Sequence, residues 1–130
     1  MNDPLRVILA NDAELILEGL KGLLAPYSDR VEVVATATGD PDIVQEALAD
    51  TDADIMLIDA FGRTGAGVDA VVKVLATDPS FAVVVFTEAD DLRHLFAALR
   101  AGVKGYLLKT IATEDLVASL ERIAKGEVVV

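Results

Sequence analysis

Short apolar runs alternate with stretches of helical period along the whole chain. Arg6 to Ala10 (RVILA) reads as a buried strand, because a run this short and continuously apolar suits a strand covered on both faces. Ala13 to Leu24 places apolar residues at Ile16, Leu20, Leu23 and Leu24, which is a helical spacing, and Pro26 lies just beyond it. Val31 to Thr36 is a second strand. Asp40 and Pro41 suit an N-cap and first helical position, opening a helix to about Ala49. Ile55 to Asp59 (IMLID) is a third strand, followed by a glycine-rich loop from Gly62 to Gly67 and a helix from Val68 to Ala76. Phe81 to Thr87 (FAVVVFT) is a fourth strand, rich in β-branched residues and apolar on both faces. Asp91 to Ala101 is helical, with Gly102 suited to a left-handed C-terminal cap. Gly105 to Leu108 is a fifth strand. Thr113 is expected to N-cap the last helix, whose buried stripe is Leu116, Leu120 and Ile123 and whose end is Gly126.

Five strands alternating with five helices predict a single α/β domain, a doubly wound parallel sheet with helices on both faces. The expected strand order is 2-1-3-4-5, the flavodoxin-like winding. The chain has 130 residues, enough for one domain, and 53% of them are hydrophobic. With 22 acidic against 11 basic residues the net charge is −11, which excludes a basic nucleic-acid groove and disfavours an anionic membrane surface. No cysteine is present and His94 is the single histidine, so thiolate chemistry and Cys- or His-built metal sites are excluded. Any metal must take oxygen ligands, which points to magnesium, calcium or manganese. The longest apolar run, Phe81 to Phe86, is far too short for a membrane span. The amino terminus lacks the pattern of a signal peptide, so a cytoplasmic location is expected.

Working sites of open parallel sheets lie outside the carboxyl ends of the strands. In the expected order four of those ends are neighbours, and each carries a polar residue: Asn11-Asp12, Asp59, Thr87 and Lys109. Asp12 and Asp59 supply hard oxygen ligands for a divalent cation. A carboxylate can also attack phosphorus to form an aspartyl phosphate. Thr87 can donate to a phosphoryl oxygen, and the Lys109 ammonium can pair with its charge. Taken singly these residues have ordinary explanations: Asn11 and Asp12 are good helix-capping types, Thr87 suits a strand, and Tyr106 suits a core. Their meeting at adjacent strand ends is what favours a site.

At these residues the chain resembles the receiver domain of two-component response regulators, of the NarL/FixJ type with a LuxR-type DNA-binding output domain. The resemblance rests on Leu9-Ala10-Asn11-Asp12 with Glu18-Gly19-Leu20, on Ile58-Asp59, and on Thr87. Most specific is Ala98-Leu99-Arg100-Ala101-Gly102 followed by Gly105-Tyr106-Leu107-Leu108-Lys109. It covers residues 5–126. It implies that Asp59 is the phosphoacceptor, loaded by a sensor histidine kinase, and that Mg2+ (or Mn2+) is held by Asp12, Asp59 and the backbone carbonyl of Phe61. Asn11 would meet the metal through a water. Thr87 and Lys109 would bind the phosphoryl group, and Tyr106 would change orientation when Thr87 is recruited. The resemblance also implies a signalling domain rather than an enzyme, a homodimer, no membrane, and contact with DNA only through an output domain. Residues 1–126 would be the receiver and 127–130 the start of a linker to a helix-turn-helix domain absent from this chain.

Three departures from the family pattern carry expectations of their own. Asn11 replaces one acid of the usual pair, so magnesium should bind more weakly. Gly62, Gly65 and Gly67 make the loop after Asp59 looser than the family's proline-containing turn. Glu88 stands where a small residue is usual and should tune phosphotransfer. The competing reading is a degenerate receiver that acts as a phosphorylation-independent binding or dimerisation module. An enzyme on a flavodoxin-like fold is a third, with little support. Gly62 to Gly67 mimics a phosphate loop, but Val68-Asp69 stands where Lys-Ser/Thr is required. No G-x-G-x-x-G follows the first strand, and Phe61 occupies the position where a haloacid-dehalogenase-type phosphatase needs a second Asp.

Overall fold

The computed structural model describes residues 3–11, 13–37, 52–58, 75–76, 81–87 and 92–130, with residues 92 and 94 described by backbone alone. Five strands form one sheet: β1 (Leu5–Ala10), β2 (Val31–Ala37), β3 (Ile55–Ile58), β4 (Ala82–Thr87) and β5 (Gly105–Leu108). The helices are α1 (Glu14–Leu24), α2 (Leu92–Ala101) and α3 (Thr113–Ala124), with a 3-10 turn at Ala25–Tyr27. Residues 75 and 76 are also helical. The helix expected over 40–49, most of that over 68–76, and the glycine-rich loop lie outside the described residues. All strand pairs are parallel and the order is β2-β1-β3-β4-β5, as the element count predicts.

The continuous apolar strands have a plain physical basis. Alternate residues of a strand point to opposite faces, and both faces here are covered. Val7, Leu9, Ile55, Leu57, Val84, Phe86 and Leu107 pack in one layer with Leu17 and Leu20 of α1 and Leu116, Val117, Leu120 and Ile123 of α3. Ile8, Ala10, Met56, Ile58, Val83, Val85 and Tyr106 pack in the other with Ala98 of α2 and Val103. The β1–β2 pairing shifts register between Val7 and Ile8, so Val34 is the extra residue on β2.

The structure chooses the buried side of α1, which spacing left open, and corrects the expected N-cap of α3. The buried seam of α1 is Leu17, Leu20 and Leu24, whereas Leu15, Ile16 and Leu23 are exposed. The helix carries apolar residues on more than one stripe, so spacing alone does not choose the inward one. The N-cap of α3 is Ala112, in extended backbone and with no side-chain cap bond, and Thr113 is already the first helical residue. The acids Glu114 and Asp115 still lie in the first turn, where they oppose the helix dipole favourably.

Gly102 ends α2 at φ 107°, its N–H donating to the Leu99 carbonyl at 3.1 Å, while the Val103 N–H donates to Ala98 at 3.2 Å. That is the double bond pattern of a Schellman cap. It turns the chain directly from α2 into β5. Arg30, before β2, makes a forked ion pair with Glu121 of α3 and lies 6.0 Å from the Tyr27 ring centroid.

Candidate functional site at the carboxyl ends of the strands

The registers set the geometry of the site edge. Ala10 lies opposite Ile58, Ile58 opposite Val85, and Thr87 opposite Leu108. The carboxyl ends of β1, β3, β4 and β5 therefore lie side by side. Asn11 follows β1 directly, Thr87 is the last residue of β4, and Lys109 follows β5 directly. The Lys109 N–H donates to the Thr87 carbonyl at 2.8 Å, and the Asn11 N–H donates to the Ala37 carbonyl at 3.0 Å. Main-chain bonds thus continue the ladder past the regular strands and hold the residues at fixed height.

Polar side chains are buried at this edge. Asn11 is 4% exposed and Thr87 fully buried, while Lys109 is half-buried. Burial of such groups is tolerated only when they are bonded. Asn11 Oδ1 accepts the Ala13 N–H at 2.7 Å, an Asx turn that leads from β1 into α1. Asn11, Thr87, Tyr106 and Lys109 are each engaged by a neighbour. The Tyr106 ring is buried in the α2-side layer, more deeply than its polar tip alone would lead one to expect.

Of the residues singled out in the sequence, the fold brings Asn11, Thr87 and Lys109 to one edge and puts Tyr106 on the strand that carries Lys109. Asp12, Asp59, Phe61 and Glu88 lie outside the described residues. Among the described residues there is no group of three or more His, Cys, Asp or Glu that could hold a metal ion. The local role of Asn11 was not anticipated, though its type is a frequent Asx-turn former. A cavity of about 510 Å³ lined by Asp54, Phe81, Lys104 and Gly126 opens at the opposite edge, by the amino ends of β3, β4 and β5. It is remote from these groups. Among the described residues no helix is long and apolar enough to cross a membrane.

These elements define the class of protein: an α/β domain with a doubly wound parallel sheet and an amide, a hydroxyl and an ammonium gathered at its carboxyl edge. The chain belongs to the response regulator receiver domain family, whose profile matches residues 7–121. It is 31% identical over 124 residues to the oxygen regulatory protein NreC of Staphylococcus aureus, covering 95% of this chain and 56% of that protein. The signal receiver domain described for NarL of Mycobacterium tuberculosis superposes with a TM-score of 0.83 at 25% identity, covering 97% of this chain and 100% of that one. The isolated REC domain of RcsB from Salmonella enterica serovar Typhimurium, solved with the phosphomimetic BeF3−, gives 0.79 at 26% identity, covering 96% and 91%. The neighbours are thus of the NarL and LuxR type that the strand-end residues resemble. The chain spans about three fifths of the length of the curated relatives it matches.

Proposed function

We propose that this receiver domain is a phosphorylation-activated switch with Asp59 as phosphoacceptor. The observation that carries the reading is the edge itself: buried Thr87 and half-buried Lys109 joined by a main-chain bond beside the end of β3. A hydroxyl donor and a fixed positive charge at one strand edge suit a phosphoryl group. In the transfer, an Asp59 carboxylate oxygen forms a bond to phosphorus as the bond to the donor group breaks. The leaving group departs with the electron pair; when it is a kinase imidazole, it regains a proton. Thr87 would donate to a phosphoryl oxygen and Lys109 would pair with the charge.

The oxygen-rich donor set fits a hard divalent cation. Asp12, Asp59 and the Phe61 carbonyl would hold Mg2+ or Mn2+, with Asn11 taking part through a water. Bound there, the cation would screen the charge that repels a phosphate from a carboxylate. Asn11 lowers the site's negative charge, and its Oδ1 is shared with the Ala13 N–H, so metal binding is weaker than with two acids. Glu88 adds a negative charge one residue beyond Thr87 and slows approach of anionic donors.

Phosphorylation would shift the balance between two packings of Thr87 and Tyr106. The partner that loads Asp59 is a sensor histidine kinase. The output is dimerisation and, through a DNA-binding domain outside residues 1–126, transcription. Residues 127–130 begin the connection to that domain. The protein works in the cytoplasm as a signalling domain, not as a turnover enzyme.

The test is incubation with Mg2+ and acetyl phosphate, read by intact mass. The parent gains one phosphoryl group and Asp59→Asn gains none. A folded parent that gains nothing, beside a competent control receiver, refutes the reading and leaves a phosphorylation-independent module.

A further inference from the structure

β5 ends the sheet, so one of its edges would face solvent with unpaired main-chain groups. The chain covers that edge itself. Gly126, at φ 102°, turns the backbone out of α3, with its N–H on the Ile123 carbonyl at 2.9 Å and the Glu127 N–H on Arg122 at 3.2 Å. The Arg122 guanidinium then meets the Glu127 carboxylate through Nε and Nη2, both at 3.3 Å. Two residues on, Val129 forms a parallel bridge with β5. Its N–H donates to the Lys104 carbonyl at 3.0 Å, and the Tyr106 N–H donates to the Val129 carbonyl at 2.9 Å. The Val129 side chain packs on the α1/α3 layer, while Val128 and Val130 are exposed. This is the alternation of a strand.

We propose that residues 126–130 form a detachable strap that is seated while the Tyr106 ring is buried and released when the ring leaves its layer. The inference rests on the reading of Thr87 and Tyr106 as the moving pair. One of the strap's two main-chain bonds is made by Tyr106 itself. The same short strand binds Thr87 at its far end through Lys109. The inner side of the strand has no slack. A Cβ on Gly105 would stand 2.6 Å from Ile123 Cδ1 and 3.0 Å from Val84 Cγ1, so the backbone is wedged against α3 and β4. The Tyr106 ring lies in the α2-side layer and Val129 packs on the opposite one, so the link between them is the main chain: a shift of the Tyr106 backbone that opens its bond to the Val129 carbonyl unseats the strap. Close packing makes such an element two-state rather than compressible. The strap is held by two main-chain bonds, one half-buried valine and an exposed ion pair, so it opens locally without unfolding the domain.

The experiment is amide hydrogen exchange by NMR on the full chain, alone and with Mg2+ and beryllium trifluoride. A probe that holds the Tyr106 ring in the buried packing seats the strap, so the Val129 amide should exchange about tenfold more slowly with the probe bound, a coupling of ordinary size, while the Arg30 amide, bonded to Tyr27, stays constant; faster exchange at Val129 overturns the proposal. Coupling is reciprocal, so Val129→Pro, which cannot donate to Lys104, should shift the Tyr106 ring and Thr87 amide resonances. Val129→Ala, which keeps the N–H, should leave them in place. Thr87 and Tyr106 responding to the probe with Val129 unchanged overturns the strap proposal alone. No response at any of the three overturns the switch reading, and the strap proposal with it. Val129→Pro leaving Tyr106 and Thr87 unmoved also overturns the strap.

Discussion

Gly105→Ala isolates the wedge on which the placement of β5 depends. The new methyl would stand 2.6 Å from Ile123 Cδ1 and 3.0 and 3.3 Å from the two Val84 methyls. Carbon contacts settle at about 3.5–4.0 Å, so the shortest must open by about 1 Å. Neither neighbour has room, since Ile123 is 3% exposed and Val84 fully buried. Overpacking of this kind costs about 1–3 kcal/mol, and replacing a glycine whose φ an alanine can adopt returns about 0.4–1 kcal/mol through the unfolded chain. With no room for either neighbour to relax, the overpacking cost falls in the upper part of its range, about 2–3 kcal/mol, and the net is a loss of about 1–2.6 kcal/mol. With an unfolding entropy of about 2.1 cal/mol/K per residue over 130 residues, the melting temperature falls by about 4–10 °C. The assay is thermal unfolding of the parent, Gly105→Ala, Ile123→Val and the double variant. Ile123→Val removes Cδ1 and alone costs about 0.5–1.5 kcal/mol. In the double variant the contact with Cδ1 is gone, so its loss is smaller than the sum of the two single losses by about 0.5 kcal/mol or more. A Gly105→Ala melting temperature within about 1 °C of the parent, or strict additivity in the double variant, refutes the wedge.

Two further predictions concern single side chains. Asn11→Asp keeps an oxygen for the Ala13 N–H and adds a charge, so it should tighten magnesium on the order of tenfold by calorimetric titration; an unchanged affinity removes Asn11 from the metal's surroundings. The hydrogen bond from Arg30 holds the Glu121 carboxyl below the ordinary glutamate range, so its contribution to stability is present above that range and is lost as pH falls through the folded value. Urea midpoints measured from about pH 5 to pH 3 should therefore fall more steeply for the parent than for Glu121→Gln, and parallel profiles contradict this.

Much of the fold is legible in the pattern of residues because the sheet is covered twice. Runs such as Ile55 to Ile58 and Val83 to Phe86 have no polar alternation, and that is the signature of a parallel strand buried between helix layers. The strand order then brings Asn11, Thr87 and Lys109 together, so the edge of the candidate site is legible in the sequence. What was not readable depends on long-range contact. The inward face of α1 is chosen by what β1 and α3 offer Leu17 and Leu20, and a helix that also carries Leu15, Ile16 and Leu23 gives spacing no means to decide. Asn11 could have been read as a cap of α1, but its oxygen closes a turn on Ala13 instead. Residues 127–130 read as the start of a linker. Their β-branched run was the available signal for a strand, and the partner that completes it, β5, lies more than twenty residues earlier.

The central claim is that Asp59 carries the phosphoryl group at the carboxyl edge of this sheet. The most direct measurement is to phosphorylate the chain with acetyl phosphate and Mg2+, reduce it with borohydride, and sequence the peptides by mass spectrometry. Reduction converts an aspartyl phosphate to homoserine and leaves free carboxylates untouched. Homoserine is expected at residue 59 alone, abolished when magnesium is withheld. Homoserine at another acidic residue, or at residue 59 to the same extent without magnesium, contradicts it.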